Sequence, residues 1–259
     1  LLIMSNIGIA IWSYVISKLP SIKDMLWFLL AINIIIAVAS RFLPNMENDV
    51  KQEDTEYEEN SFRDVIKWIV KDGKGLLFFM LLMITFSIML SHLNVSIPLF
   101  MDRLFGEKGD LYFSYIIIEN AIVLIFCTWI IHFLVRTLEE VPRLIISSAL
   151  YLVAFGILIF SKNLFCIGVA IFFFSCGEIM SNTTSNSFVL RRTPPKYIAT
   201  CNSLYNVLSG SGTVIGPLLS TLLMEQNGIN AVWIFSILLL GFTIIIFLIC
   251  LNHQLHCCR

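Results

Sequence analysis

Eight stretches of predominantly apolar residues divide this chain of 259 residues: 1–18, 25–43, 75–99, 111–134, 144–161, 164–187, 199–224 and 230–251. A helix needs roughly 20 such residues to cross the hydrocarbon of a bilayer. Inside lipid each backbone N–H and C=O must be satisfied without water, which leaves helices as the form these runs can take. Composition agrees, with 58% hydrophobic and only 14% charged residues; a soluble domain carries about a quarter charged residues. The expected fold class is therefore an all-α membrane protein with eight transmembrane helices.

The basic residues set its orientation. One set of connecting segments (41–74, 135–143, 188–198 and the C-terminus) holds twelve of the Lys and Arg residues, and the alternate set holds five. Positive loops stay in the cytoplasm, so the first set, including the tail 252–259, is expected there. The longest connection, 44–74, opens with the acidic run ENDVKQEDTEYEEN, too poor in apolar surface to fold alone. From Ser61, a good N-cap, residues Phe62, Val65, Ile66, Ile69 and Val70 share one helical face, as in a helix lying on the membrane surface. The segment thus tethers two membrane units, 1–43 and 75–251. The chain opens at Leu1 inside an apolar run, with no basic n-region or cleavage site, and reads as a piece with its upstream part missing.

The sixth and seventh spans are unlike the rest. Between Gly177 and Pro217 they carry Glu178, Ser181, Asn182, Thr183, Ser185, Asn186, Asn202, Asn206, Gly210, Gly212 and Gly216, joined by the basic turn RRTPPK. Lipid tolerates such groups only where they face other helices or a water-filled cavity. Ser175, Glu178, Asn182 and Asn186 step by three or four and share a face, as do Asn202, Asn206 and Thr213. Each set reads either as a cavity wall or as amide-mediated helix packing, worth about 1 kcal/mol per contact in membranes. Glu178 near mid-membrane is either a proton-binding group or a static interhelical contact. The same pair of readings applies to Glu119, beside Asn120 on the fourth span and above Thr128. His92 and Asn94 at the outer end of the third span are candidates for an outer gate. Gly212-x-x-x-Gly216-Pro217 suits close helix approach, gating, or both.

Several stretches resemble the major facilitator superfamily of transporters. These are Gly177-Glu178 with its polar helix and basic-Pro turn, then Asn202-x-x-x-Asn206 and Gly212-x-x-x-Gly216-Pro217, which are similar to spans ten and eleven of bacterial drug-efflux members. Glu119-Asn120 through Thr128 resembles their eighth span, and Ile97-Pro98-Leu99 the outer end of their seventh. The resemblance implies twelve helices in two halves, of which this chain carries spans five to twelve and lacks the first four. It implies alternating-access transport of a small solute, proton-coupled and drug-type, with Glu178 and Glu119 as proton carriers. Asn120, Thr128, Ser175, Asn182, Asn186, Asn202, Asn206, His92 and Asn94 would then be substrate contacts, and Gly212, Gly216 and Pro217 gating positions.

Other classes fare less well. No Walker motif marks an ATP-driven pump, four scattered His residues supply no enzyme-like cluster, and no folded soluble domain or output tail supports a receptor or sensor. An uptake permease for a nutrient is the alternative within the superfamily. Seven cysteines (127, 166, 176, 201, 250, 257 and 258) form no disulfide framework or metal-ligand spacing, so neither metal nor cofactor is expected. Nor is nucleic acid, since no basic, aromatic-interleaved face is present. The expected partners are a small solute, protons and the bilayer of the plasma membrane, around a monomer.

Overall fold

The computed structural model describes residues 62–257, together with the isolated positions 27, 30, 31 and 34. The expected spans 1–18 and 25–43, the acidic run 44–60, Ser61 and Cys258 lie outside this continuous stretch.

Among the described residues the chain is helical throughout. The order is α1 (Phe62–Lys71), α2 (Lys74–Asn94), α3 (Ser96–Phe105), a 3-10 turn (Gly106–Lys108), α4 (Gly109–Val135), α5 (Glu140–Phe160), α6 (Leu164–Arg192), a second 3-10 turn (Pro195–Tyr197), α7 (Ile198–Asn227) and α8 (Ile229–Cys257). Five continuous helical stretches are long and apolar enough to cross a membrane, the first being the 62 residues Lys74–Val135. At 1.5 Å per residue that stretch would measure about 90 Å, three times the hydrocarbon thickness. It folds back at Gly106–Gly109, where α3 packs on α4. Gly106 takes φ 53°, and a Cβ on Gly109 would sit 2.7 Å from the Asp102 Cα; both glycines are required for so sharp a reversal.

The span expected as one helix over 75–99 is broken at Val95 (φ −124°, ψ −56°). Pro98 has no N–H to give to the Asn94 carbonyl, so the α2 ladder ends there and α3 restarts with Pro98 in its first turn. Helix α1 lies where the amphipathic helix is expected. Val65 and Ile69 are buried, while Val70 is 55% exposed. The buried face of α1 is turned against α2 and α7, with Trp68 packed on Tyr197 at 5.4 Å between ring centroids.

Helix α6 is central, packed along α5 on one side and α4 on another. Its first half is apolar, its C-terminal half is polar, and its middle third is almost wholly enclosed, from Phe174 to Ser181. Aromatic rings fill the core beside it: Trp233 of α8 stacks on Phe155 of α5, which meets Phe174 of α6 edge-on. Helices α2 and α7 form a second tight pair. A Cβ on Gly212 would lie 2.7 Å from the Ile84 carbonyl oxygen, and one on Gly216 would overlap the Ser91 hydroxyl. The expected close-approach motif thus fits against α2.

Candidate functional site

Two polar centres sit on α6, about one turn apart. Glu178 is the fifteenth of its 29 residues, which puts it about 21 Å along the axis, at the helix midpoint. Its side chain points at α4, where Asn120 donates one amide hydrogen to Ser175 Oγ (2.8 Å) and the other to Glu178 Oε2 (3.2 Å). All three residues are buried. The structure therefore brings together Glu178, Asn120 and Ser175 in a closed interhelical cage. A lone carboxylate in mid-membrane costs at least ~3 kcal/mol, and the Asn120 amide offsets part of that cost.

The second centre is a cavity of 110 Å³ between α2, α5, α6 and α7. Its wall carries the hydroxyls of Ser87, Tyr151, Ser181, Ser185, Tyr205, Ser209 and Thr213, with the amide of Asn182. Met83, Phe86 and Leu90 supply apolar surface. Ser87 Oγ and Ser209 Oγ lie 2.6 Å apart and link α2 to α7 across it. Ser181 and Ser185 also bond back to carbonyls of their own helix, Glu178 O (3.1 Å) and Ser181 O (2.6 Å). No charged side chain lines this cavity among the described residues.

Tyr151 joins the two centres. Its hydroxyl-bearing ring lines the cavity, and its edge presses on Gly177, where a Cβ would meet it at 3.1 Å. Ser147, one turn away on α5, donates to the Gly177 carbonyl at 2.7 Å. Gly177 thus lets α5 approach close enough for Tyr151 to sit between the carboxylate layer and the open space.

Other expected site residues fall elsewhere. Glu119 is turned away from Glu178, into a shallow groove with Gly168, Phe165 and Phe172 on the outside of the α4–α6 pair. The two carboxylates do not form one site, because adjacent residues on α4 point about 100° apart. Thr128 bonds the Leu124 carbonyl of its own helix and meets neither centre. Asn186 is exposed and donates to the Asn182 carbonyl at 2.8 Å, so of the amides on α6 only Asn182 reaches the cavity. Asn202 is half-buried and Asn206 exposed on α7, outside the wall but on the face that carries Thr213.

His92, the outer-gate candidate, is buried. It is 1% exposed, and its ring lies between Ser96 (Nδ1 to Oγ 2.9 Å), Ser220 (3.2 Å) and Ser236 (Nε2 to Oγ 2.9 Å). Phe155 and Trp233 meet it edge-on. Helices α2, α3, α7 and α8 are pinned together here, well inside the bundle. Asn94 is exposed at the α2 end.

Ser87, Tyr151, Tyr205 and Ser209 line the cavity without being among the candidates that the sequence alone points to. The available signal was spacing: Tyr205 and Ser209 are four apart on α7, and Ser181 and Ser185 four apart on α6. No group of three or more His, Cys, Asp or Glu residues able to hold a metal ion occurs among the described residues.

Long apolar helices, a buried carboxylate at half-depth and a hydroxyl-lined space among four of them define a multi-pass membrane transport protein. The chain belongs to the Major Facilitator Superfamily, whose family model matches residues 2–217, from the first apolar run through Gly216-Pro217. Among curated proteins none matches the chain.

Proposed function

We propose that this chain is the larger, C-terminal part of a proton-coupled secondary transporter that works by alternating access and exports drug-type solutes. The observation that carries this is the cavity behind Tyr151, with the Glu178 carboxylate about one turn from Ser181 and Asn182 of its wall on α6. Solute would bind among the hydroxyls, Asn182 and the aromatic rings. Glu178 would take and release the proton, and Asn120 and Ser175 would hold it in place between transfers.

Size constrains the state. A volume of 110 Å³ holds three or four waters at ~30 Å³ each and is below the ~300 Å³ at which small-ligand sites begin. A transported solute therefore needs more room than these helices enclose. The polar stripe on α7, with Asn202 half-buried and Asn206 and Thr213 exposed, supports a second wall opposite. On this reading the tail is cytoplasmic, the membrane is the plasma membrane, and one chain suffices.

A second reading is uptake of a neutral, hydroxyl-rich nutrient. The uncharged cavity lining favours it, since a hydrophobic cation would find rings but no counter-charge there.

The test is transport by proteoliposomes carrying the protein from its whole reading frame, loaded with a pH-sensitive dye. Ethidium serves as the hydrophobic cation and glucose as the neutral probe. Proton flux that rises on adding ethidium supports drug-type exchange. Flux that rises with glucose instead supports the permease. Equal proton leak with and without every solute in a wider panel ends the coupled-transport proposal.

A further inference from the structure

A cavity larger than the polar one, a slot of 420 Å³, lies at the opposite end of α2 from His92, lined by Trp68, Gly75, Phe78, Phe79, Leu82 and Phe247, with Arg192 at its rim. It follows the seam between α2 and α8, where Phe78, Leu248 and Ile249 are 47%, 49% and 64% exposed. From Gly73 to Leu82 it runs about 13 Å along the α2 axis, close to the thickness of one leaflet's hydrocarbon. The deep end is closed one turn further on, by the Thr243–Thr85 hydrogen bond (3.4 Å) and the Phe86–Phe247 stack.

The mouth is cationic. Arg191 and Arg192 both reach Glu140, at 3.4 and 3.7 Å, so two guanidiniums share one carboxylate and one positive charge is left over. The Arg192 guanidinium also lies 3.7 Å over the Phe188 ring, which holds it at the slot instead of in free solvent. Asp72 is the one acid on the rim. Around it this end of the bundle carries Arg63, Lys67, Lys71, Lys74, Arg136, Arg143, Arg191, Arg192 and Lys196 against Asp64, Asp72, Glu139 and Glu140.

We propose that the slot binds an anionic phospholipid of the surrounding leaflet, one acyl chain lying along Phe78, Leu82 and Phe247 and the phosphate at Arg192. Three features select this occupant. The slot opens sideways through apolar residues and not only at its polar end, its length matches a single leaflet, and its rim holds the Arg192 guanidinium in an end of the bundle where basic side chains outnumber acids. Because α1 covers the same mouth with Trp68, a bound lipid also fixes the linker helix against the bundle.

Among the described residues Trp68 is the one tryptophan in this wall, so Trp68→Phe isolates its emission as a difference. The protein is reconstituted with phosphatidylglycerol or phosphatidylcholine brominated on the acyl chain, which quenches on contact. The Trp68 component is expected to be quenched at about fivefold lower mole fraction of the anionic lipid, the preference that one basic side chain near the surface confers. Arg192→Gln should abolish the preference, and Leu82→Trp, which fills the slot and leaves the charge, should abolish Trp68 quenching itself. Free glycerol phosphate should not compete, since it lacks the chain. Equal quenching by the two lipids in the unaltered protein overturns the proposal. So does Trp68 quenching that survives Leu82→Trp, which would leave the mouth to the chain's own linker residues or to bulk lipid.

Discussion

Substituting Gly212 by alanine should lower the stability of the bundle, whereas the same change two residues earlier, at Gly210, should raise it. A Cβ at 212 would lie 2.7 Å from the Ile84 carbonyl oxygen, 2.7 Å from Ser87 Cβ and 3.2 Å from the Ile88 nitrogen. Two of those three atoms are backbone, so no rotamer change relieves them and α2 must move away from α7. Overpacking of this kind costs about 1–3 kcal/mol. At Gly210 nothing lies within 4 Å of the added atom, and removing a glycine from a helix interior gains about 1 kcal/mol. For a chain of this size each kcal/mol moves the midpoint by roughly 2–4 °C. The two single-methyl variants should therefore fall on opposite sides of the parent protein. Heating detergent-solubilised protein and measuring what remains monodisperse gives the comparison directly. Equal midpoints for the two variants, or a Gly212→Ala protein above the parent, would mean that α2 and α7 are not in contact along this seam.

Glu178→Gln keeps the volume and the Asn120 hydrogen bond but removes the titrating proton, so coupled transport should lose its pH dependence while expression stays level; a mutant with the parent's pH profile removes Glu178 from the mechanism. His92→Ala takes away a ring enclosed by three serines and two aromatics and should cost about 2–4 kcal/mol, as truncation of a buried ring does. Its transport, scaled to folded protein, should keep the parent's pH profile, and a changed profile would place His92 on the proton route.

What the sequence made legible was what depends on period and hydropathy. The run 164–187, the basic turn and the Gly212/Gly216 spacing each have a local physical signature, and the structure places Leu164–Arg192 and the α2–α7 contact accordingly. Contacts between distant spans have no such signature. Glu178 meets Asn120 across 58 positions and Ser87 meets Ser209 across 122, and nothing local distinguishes these serines from others that merely bond their own helix. The same holds for the burial of His92, whose partners Ser220 and Ser236 lie more than a hundred positions away. The break at Val95 was readable in principle, because Pro98 stands within one turn of it.

The way the polar centres are distributed argues for where a carrier of this build would move. Helices α5 and α6 are locked by Gly177 against Tyr151 and Ser147, and α2 and α7 by Gly212 and Gly216 against Ile84, Ser87 and Ser91. Both locks leave no slack for sliding, since backbone atoms form part of each. Between the pairs the contacts are of another kind: the Ser185 hydroxyl on the Met83 sulfur at 2.8 Å, the Phe79–Phe188 stack, and the cavity itself. A thioether is a weak acceptor and stacked rings tolerate offset, so this seam deforms at lower cost than either lock. On the proposed reading, the cavity would widen by parting α2–α7 from α5–α6, in addition to the space against the wall opposite α7. Tyr151, fixed on the α5–α6 side, would stay with the carboxylate while Ser87 and Ser209 leave with the other pair. That division keeps Glu178, the proposed proton carrier, and Tyr151 of the cavity wall on one pair of helices and Ser87 and Ser209 on the other.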